Sequence, residues 1–122
     1  MTKTESLEDY LKAIYTLSQE KKTVRAIDIA KHFSFSRPTV SVALKQYKNE
    51  GYITIDDYAI HLTDKGLEIA LNVFERHEVL EQILMKLGVD KDTAHHDAHL
   101  LEHDLSDKSF EAVHKAAKKM LK

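Results

Sequence analysis

Apolar residues recur at helical spacing near the start of the chain. Leu7, Leu11, Ile14, Tyr15 and Leu17 share one face and predict a helix over residues 5–20. Ser6 is its expected N-cap, with Asp9 three residues on as a capping-box-like partner. Ile27, Ile29, Ala30 and Phe33 predict a short second helix over 26–33. The polar turn SFSRP separates it from a third, running from about Arg37 to Asn49. Pro38 fits only in the first turn of that helix, where its missing N–H costs nothing. Val40, Leu44 and Tyr47 mark its inner face, and Gly51 suits a left-handed stop. The period then changes from 3.6 to 2. Ile53 and Ile55 alternate, as do Ile60 and Leu62, with Asp56-Asp57 between them as the turn, so a short β-hairpin is expected. Helical spacing resumes at Thr63 or Asp64 and continues through Leu87 to a stop at Gly88. A further helix begins at Asp90 or Asp92 and reaches about Leu105. Ser106 caps a last, amphipathic one carrying Phe110, Val113, Ala117, Met120 and Leu121.

Helix, short helix, polar turn, helix, hairpin is the order of a winged helix-turn-helix. The fold expected is therefore mainly α. Residues 1–62 form an N-terminal winged helix-turn-helix with a short β-hairpin wing, and residues 63–122 form a helical domain. The third helix carries Arg37, Lys45 and Lys48 and no acid before Glu50. Its start presents Ser36, Arg37, Pro38, Thr39 and Ser41. Hydroxyls there can bond phosphates or base edges, and Pro38 and Thr39 offer apolar surface to thymine methyls. These five residues, with Lys45 and Lys48, are the candidate DNA contacts. A solvated basic face on a three-helix packing unit is the plainer alternative. The Asp56-Asp57 tip is unusual for a wing that grips phosphates, which ordinarily carries Lys or Arg.

Composition adds two facts. The 122 residues contain no cysteine, which excludes disulfides and thiolate metal sites, and no apolar run is long enough to span a bilayer. A cytoplasmic protein is expected. The net charge of −2 is unevenly placed: residues 1–62 carry 9 Lys/Arg against 8 Asp/Glu, residues 63–122 carry 9 against 12, and six of the eight histidines fall in the second part. The two parts are thus expected to do different work.

The histidines are ordered. His77 and Glu81 stand four apart on the long helix, and His95, His99, Glu102 and His103 form one stripe on the next. A stripe of imidazoles and carboxylates facing a neighbouring helix is costly unless a cation neutralises it. Nitrogen and oxygen ligands without thiolate suit Mn(II), Fe(II) or Zn(II). His32, His61 and His114 read as ordinary surface or core residues, and His96 as an outer-shell group at most. Asp97 and Asp104 read as solvated. A metal-dependent hydrolase is the enzymatic alternative, since such sites activate water. The chain has no H-E-x-x-H pair, Gly-rich phosphate loop or nucleophile elbow, so no enzyme is expected. A constitutive DNA binder with a purely structural histidine cluster is the other alternative.

The segments EDYLKAIYTL, SRPTVSVALKQYKNEGYI, LTDKGLEIA, RHEVLEQIL and HDAHLLEHDLSD together resemble the diphtheria toxin repressor and manganese transport regulator family. The resemblance covers nearly the whole chain. It implies a metal-dependent repressor that binds palindromic operator DNA as a homodimer and controls metal-uptake or homeostasis genes. It also implies the short form, without an SH3-like domain. Carried over by position, one site takes Asp9, His99, Glu102 and His103, and another takes His77, Glu81 and His95, with His77 able to join the first set. The last helices, including Phe110, Val113 and Ala117, are expected to build the dimer surface. Metal held between Asp9 and the second half is expected to fix the spacing of the two recognition helices. Two departures bear on the ion. Lys12 stands where the short manganese form often has Glu, and His99 where the family usually has Glu or Cys. Asp9 favours Mn(II) or Fe(II), whereas the added imidazole leaves Zn(II) open.

Overall fold

A computed structural model describes residues 3–121. Its elements follow the order α1 (Lys3–Glu20), α2 (Ala26–Phe33), α3 (Arg37–Asn49), β1 (Ile53–Asp56), β2 (Ala59–Leu62), α4 (Asp64–Lys86), α5 (Lys91–Asp104) and α6 (Asp107–Met120). The chain forms two compact units, one up to Leu71 and one from Asn72, and the division falls within α4. No helix among the described residues is long and apolar enough to cross a membrane.

The first unit is built on one core. Tyr10, Leu11 and Ile14 of α1 join Ile29 and Ala30 of α2, Val40, Leu44 and Tyr47 of α3, and Ile53 and Ile60 of the hairpin. The predicted inner face of α3 is thus the buried one. On α1 the pattern differs from expectation. Tyr10 and Ala13 are buried, whereas Leu7, Tyr15 and Leu17 are half-buried. Ser6 does not cap α1, which begins before it; its hydroxyl instead lies 3.1 Å from the Tyr47 hydroxyl. Tyr10 meets Tyr47 edge to face at 5.4 Å, and burial pushes its phenol above the ordinary range.

The turn between α2 and α3 closes α2 with Ser34 in the left-handed region, at φ 59°, its neighbour Phe35 donating its N–H to the Ala30 carbonyl. Ser36 then caps α3 by accepting the Thr39 N–H at 3.3 Å, with Pro38 in the first turn as expected.

In the hairpin, Ile53 faces Leu62 and Ile55 faces Ile60. The turn residues are Asp57 and Tyr58, not Asp56-Asp57, since Asp56 still pairs with Ala59. Both have positive φ, 50° and 66°, the signature of a type I′ turn whose twist matches the strands. Ile60 donates its N–H to the Val24 carbonyl at 2.8 Å, which fastens β2 to the segment entering α2. Thr63 links the hairpin to α4. Its hydroxyl oxygen accepts the Gly66 N–H as an N-cap, and the hydroxyl donates toward the Gly51 and Tyr52 carbonyls. Gly66 is required there, because a Cβ would come within 2.1 Å of the Tyr52 carbonyl oxygen.

The second unit comprises the rest of α4 with α5 and α6. Gly88, at φ 101°, terminates α4. Asp90 caps α5 by accepting the Thr93 N–H at 3.0 Å, and Ser106 caps α6 in the same way through Ser109 at 3.1 Å. Arg76 of α4 is buried and holds the link between α5 and α6. It donates to the Leu105 carbonyl at 2.6 Å, pairs with Asp107, and lies over the Phe110 ring at 5.0 Å.

Candidate metal centre and nucleic-acid surface

Helical geometry brings the histidine stripe of α5 against the inner side of α4. His77 and Glu81, four residues apart, approach each other to 3.0 Å at His77 Nε2 and Glu81 Oε2. His95 Nδ1 lies 3.1 Å from His77 Nε2 and 3.3 Å from Glu81 Oε2. One ligand atom from each of these three residues lies within 4.8 Å of the others.

Glu102 organises the remainder. Its side chain is only 1% exposed, yet it is flanked by three imidazoles. Oε2 is 3.0 Å from His77 Nδ1, while Oε1 is 3.1 Å from His99 Nδ1 and 3.5 Å from His103 Nε2. His99, Glu102 and His103 likewise offer ligand atoms within 4.8 Å of one another. His77 therefore touches both sets, one ring nitrogen toward each, matching the ambiguity in its sequence assignment. A buried carboxylate is stable only when paired and hydrogen-bonded. This cluster offers imidazole nitrogens and carboxylate oxygens at close range, a donor set that fits a borderline or hard divalent ion. Asp9, the remaining sequence-predicted ligand, is a buried residue of α1 in the first unit.

The other histidines stand apart from the cluster. His96 is exposed and lies 3.2 Å from Asp97, and His114 stacks on Phe110 and lies 3.4 Å from Glu75. His32 meets Phe33 edge-on and His61 is exposed. Of the residues expected at a dimer surface, Phe110 and Ala117 are covered within the chain, at 8% and 2% exposure, and Val113 is half-buried.

In the first unit all the candidate DNA contacts are exposed: Ser36, Arg37, Pro38, Thr39, Ser41, Lys45 and Lys48. The Ser36 hydroxyl is engaged with Thr39, at 2.8 Å from its Oγ1, as well as in capping α3. Arg37, Ser41, Lys45 and Lys48 line one wall of a groove of about 670 Å³. Arg25 and Tyr58 line it too, and the sequence reading had singled out neither. Tyr58 gave no signal, because the sequence places the turn at Asp56-Asp57 and the pairing of Asp56 with Ala59 moves it onto Tyr58. Arg25 carried none, because its place beside α3 depends on the tertiary fold.

Two family models match the chain, one in each part. Residues 2–60 match the family model described as iron dependent repressor, N-terminal DNA binding domain. Residues 63–120 match the model described as iron dependent repressor, metal binding and dimerisation domain. The HTH-type transcriptional regulator MntR of Geobacillus thermodenitrificans is 36% identical over 104 residues, covering 84% of this chain and 74% of the relative. MntR of Bacillus subtilis is 34% identical over 111 residues, covering 90% and 78%. Among solved structures, the manganese regulator SloR shares 34% identity with a TM-score of 0.79, covering 92% of this chain and 53% of that one. A manganese-dependent transcriptional repressor in complex with manganese shares 32% identity with a TM-score of 0.82, covering 92% and 52%. The chain thus spans about half the length of these two solved proteins. The fold and the matched domains define a DNA-binding regulator class, and the relatives are named as transcriptional regulators, not enzymes. Within that class, the chain belongs to the diphtheria toxin repressor and manganese transport regulator family of iron-dependent repressors.

Proposed function

We propose that this protein is a metal-dependent transcriptional repressor that binds a palindromic operator duplex as a homodimer when loaded with Mn(II) or Fe(II), in the cytoplasm. The observation that carries this reading is the buried Glu102 carboxylate, set among His77, His99 and His103 in a chain that also carries an exposed, cation-lined recognition helix. Residues 1–62 supply DNA contact through Ser36, Arg37, Pro38, Thr39, Ser41, Lys45 and Lys48. Residues 63–122 supply the metal ligands His77, Glu81, His95, His99, Glu102 and His103 and the dimer surface, to which α6 brings half-buried Val113, with Phe110 and Ala117 covered within the chain. Asp9 enters as a ligand through the family resemblance and is the one contribution from the DNA-side half.

When bound, a divalent ion supplies positive charge to a cluster rich in carboxylate and imidazole. The chain's own part is to hold those donors ready. Glu102 orients His77 and His99 through its two oxygens, and Glu81 and His95 hold the other nitrogen of His77. On α3, Arg37, Lys45 and Lys48 engage phosphates while the helix start meets base edges.

The test is operator binding titrated separately with Mn(II), Fe(II) under anaerobic conditions, and Zn(II). Binding that appears with Mn(II) or Fe(II) and is reversed by a chelator supports the reading. DNA affinity unchanged by the chelator would make the chain a constitutive binder and overturn it. Asp9→Ala is expected to uncouple metal from operator binding, and its failure to do so would remove Asp9 from the site.

A further inference from the structure

Tyr58 occupies a position for which its side chain is poorly suited. Its φ of 66° lies in the left-handed region, where a bulky residue is an outlier. Two-residue turns of this type ordinarily carry Asn or Gly at these places. The ring gains little from the fold in return. It is 79% exposed, the highest value among the large hydrophobic residues described. A strained, exposed aromatic at a loop tip points to an external contact rather than to packing.

Its surroundings indicate the partner. Tyr58 lines the groove beside α3, whose other lining groups include Arg25, Arg37, Lys45 and Lys48, with Ile55 among the apolar ones. No acidic side chain lines it among the described residues. Cations together with apolar wall complement a polyanion with apolar sugar faces, which is the backbone of a DNA duplex. The exposed acids Asp56 and Asp57 at the same tip oppose a phosphate clamp. The wing's contribution is therefore apolar, made by the ring.

We propose that Tyr58 is a DNA-contact residue whose ring packs against the sugar–phosphate backbone of the operator in the groove between the wing and the recognition helix. This rests on the DNA-binding reading above. It adds a wing contact without charge, which α3 alone does not provide.

The experiment uses the full chain with Mn(II) and a fluorescent duplex selected by the metal-loaded protein from random-sequence DNA. Tyr58→Gly and Tyr58→Asn are compared with the parent and with Arg37→Ala. Both replacements tolerate positive φ, so thermal stability is expected to stay level or rise. Operator affinity is expected to fall roughly 5- to 20-fold, the scale of losing one partly buried ring. The slope of log affinity against log salt is expected to stay at the parent value, whereas Arg37→Ala lowers it by about 0.9. Affinity within twofold of the parent for both Tyr58 variants overturns the proposal. So does a salt slope reduced as in Arg37→Ala. If Arg37→Ala weakens binding while the Tyr58 variants do not, only the wing contact falls. If the parent shows no metal-dependent selection of DNA, the proposed function itself falls.

Discussion

Glu102 and His77 come from different helices, 25 residues apart in sequence, and meet at 3.0 Å in a buried contact. That contact joins the two candidate ligand sets, because the other oxygen of Glu102 faces His99 and the other nitrogen of His77 faces Glu81. Glu102→Gln keeps the size of the side chain, removes its charge and replaces one acceptor oxygen by an NH2 donor. If Glu102 is a ligand as proposed, this lowers Mn(II) affinity by about 100-fold or more, since loss of a charged ligand exceeds the usual effect of changing a group behind it. The rise in melting temperature that Mn(II) gives the parent should largely disappear. Calorimetric titration and thermal unfolding with and without Mn(II) check both. A variant that retains the metal-induced shift would assign Glu102 a purely structural role.

Gly66 offers a test of how α4 is joined to the hairpin. The absent side chain is what allows the helix to pass the Tyr52 carbonyl. Gly66→Ala is expected to destabilise the chain by about 2–3 kcal/mol, since backbone must shift to admit the methyl group. Urea unfolding followed by circular dichroism measures it. Unchanged stability would mean that this approach relaxes freely.

Asp28 gives a defined dependence on pH. The Lys21 ammonium at 2.6 Å and the Arg25 backbone N–H at 2.9 Å hold its carboxyl below the usual carboxylate range. A lowered folded-state pKa stabilises above the ordinary aspartate value and is lost as pH falls through the folded value. The parent should therefore exceed Asp28→Ala in stability at neutral pH, by about 1 kcal/mol as for other capping contacts. The gap should narrow below roughly pH 4. Parallel unfolding curves from pH 7 down to pH 3 provide the check. A gap independent of pH would separate the role of Asp28 from its charge.

Lys45 and Lys48 lie on the exposed face of α3 and line the groove. Each change to Ala is expected to weaken binding to specific and nonspecific duplexes alike and to reduce the salt slope by about 0.9. Fluorescence anisotropy over a series of salt concentrations measures this. A loss confined to the specific duplex would instead assign that lysine to base readout.

Much of this architecture was legible from periodicity and capping chemistry. The predicted limits of α2 and α3 agree with the structure, and Asp90 and Ser106 cap α5 and α6. The histidine stripe on α5 followed from 3.6 residues per turn, and its partners on α4 from the same spacing. The differences have physical causes. Ser6 looked like a cap because hydroxyl and acid are three apart, but its hydroxyl is engaged by Tyr47, which is 41 residues away. Tyr10 is buried against Phe33, Phe35 and Tyr47, neighbours that the spacing along α1 does not contain. The hairpin turn shifted by one residue because the pairing of Asp56 with Ala59 outweighs the turn preference of Asp56. The Glu102 contacts with His77 depend on how two helices face each other, which no local pattern contains.

The hydrogen bond from Ile60 to Val24 bears on how such a protein can diversify. A two-stranded ribbon is marginal by itself, but here β2 is moored at Ile60 to the chain entering α2, one residue pair away from the turn of solvent-facing Asp57 and Tyr58. Substitutions at the tip therefore leave the mooring intact. On the reading of Tyr58 proposed above, the strength of the wing's hold on the DNA backbone can change through two turn residues, without rebuilding the domain that carries them.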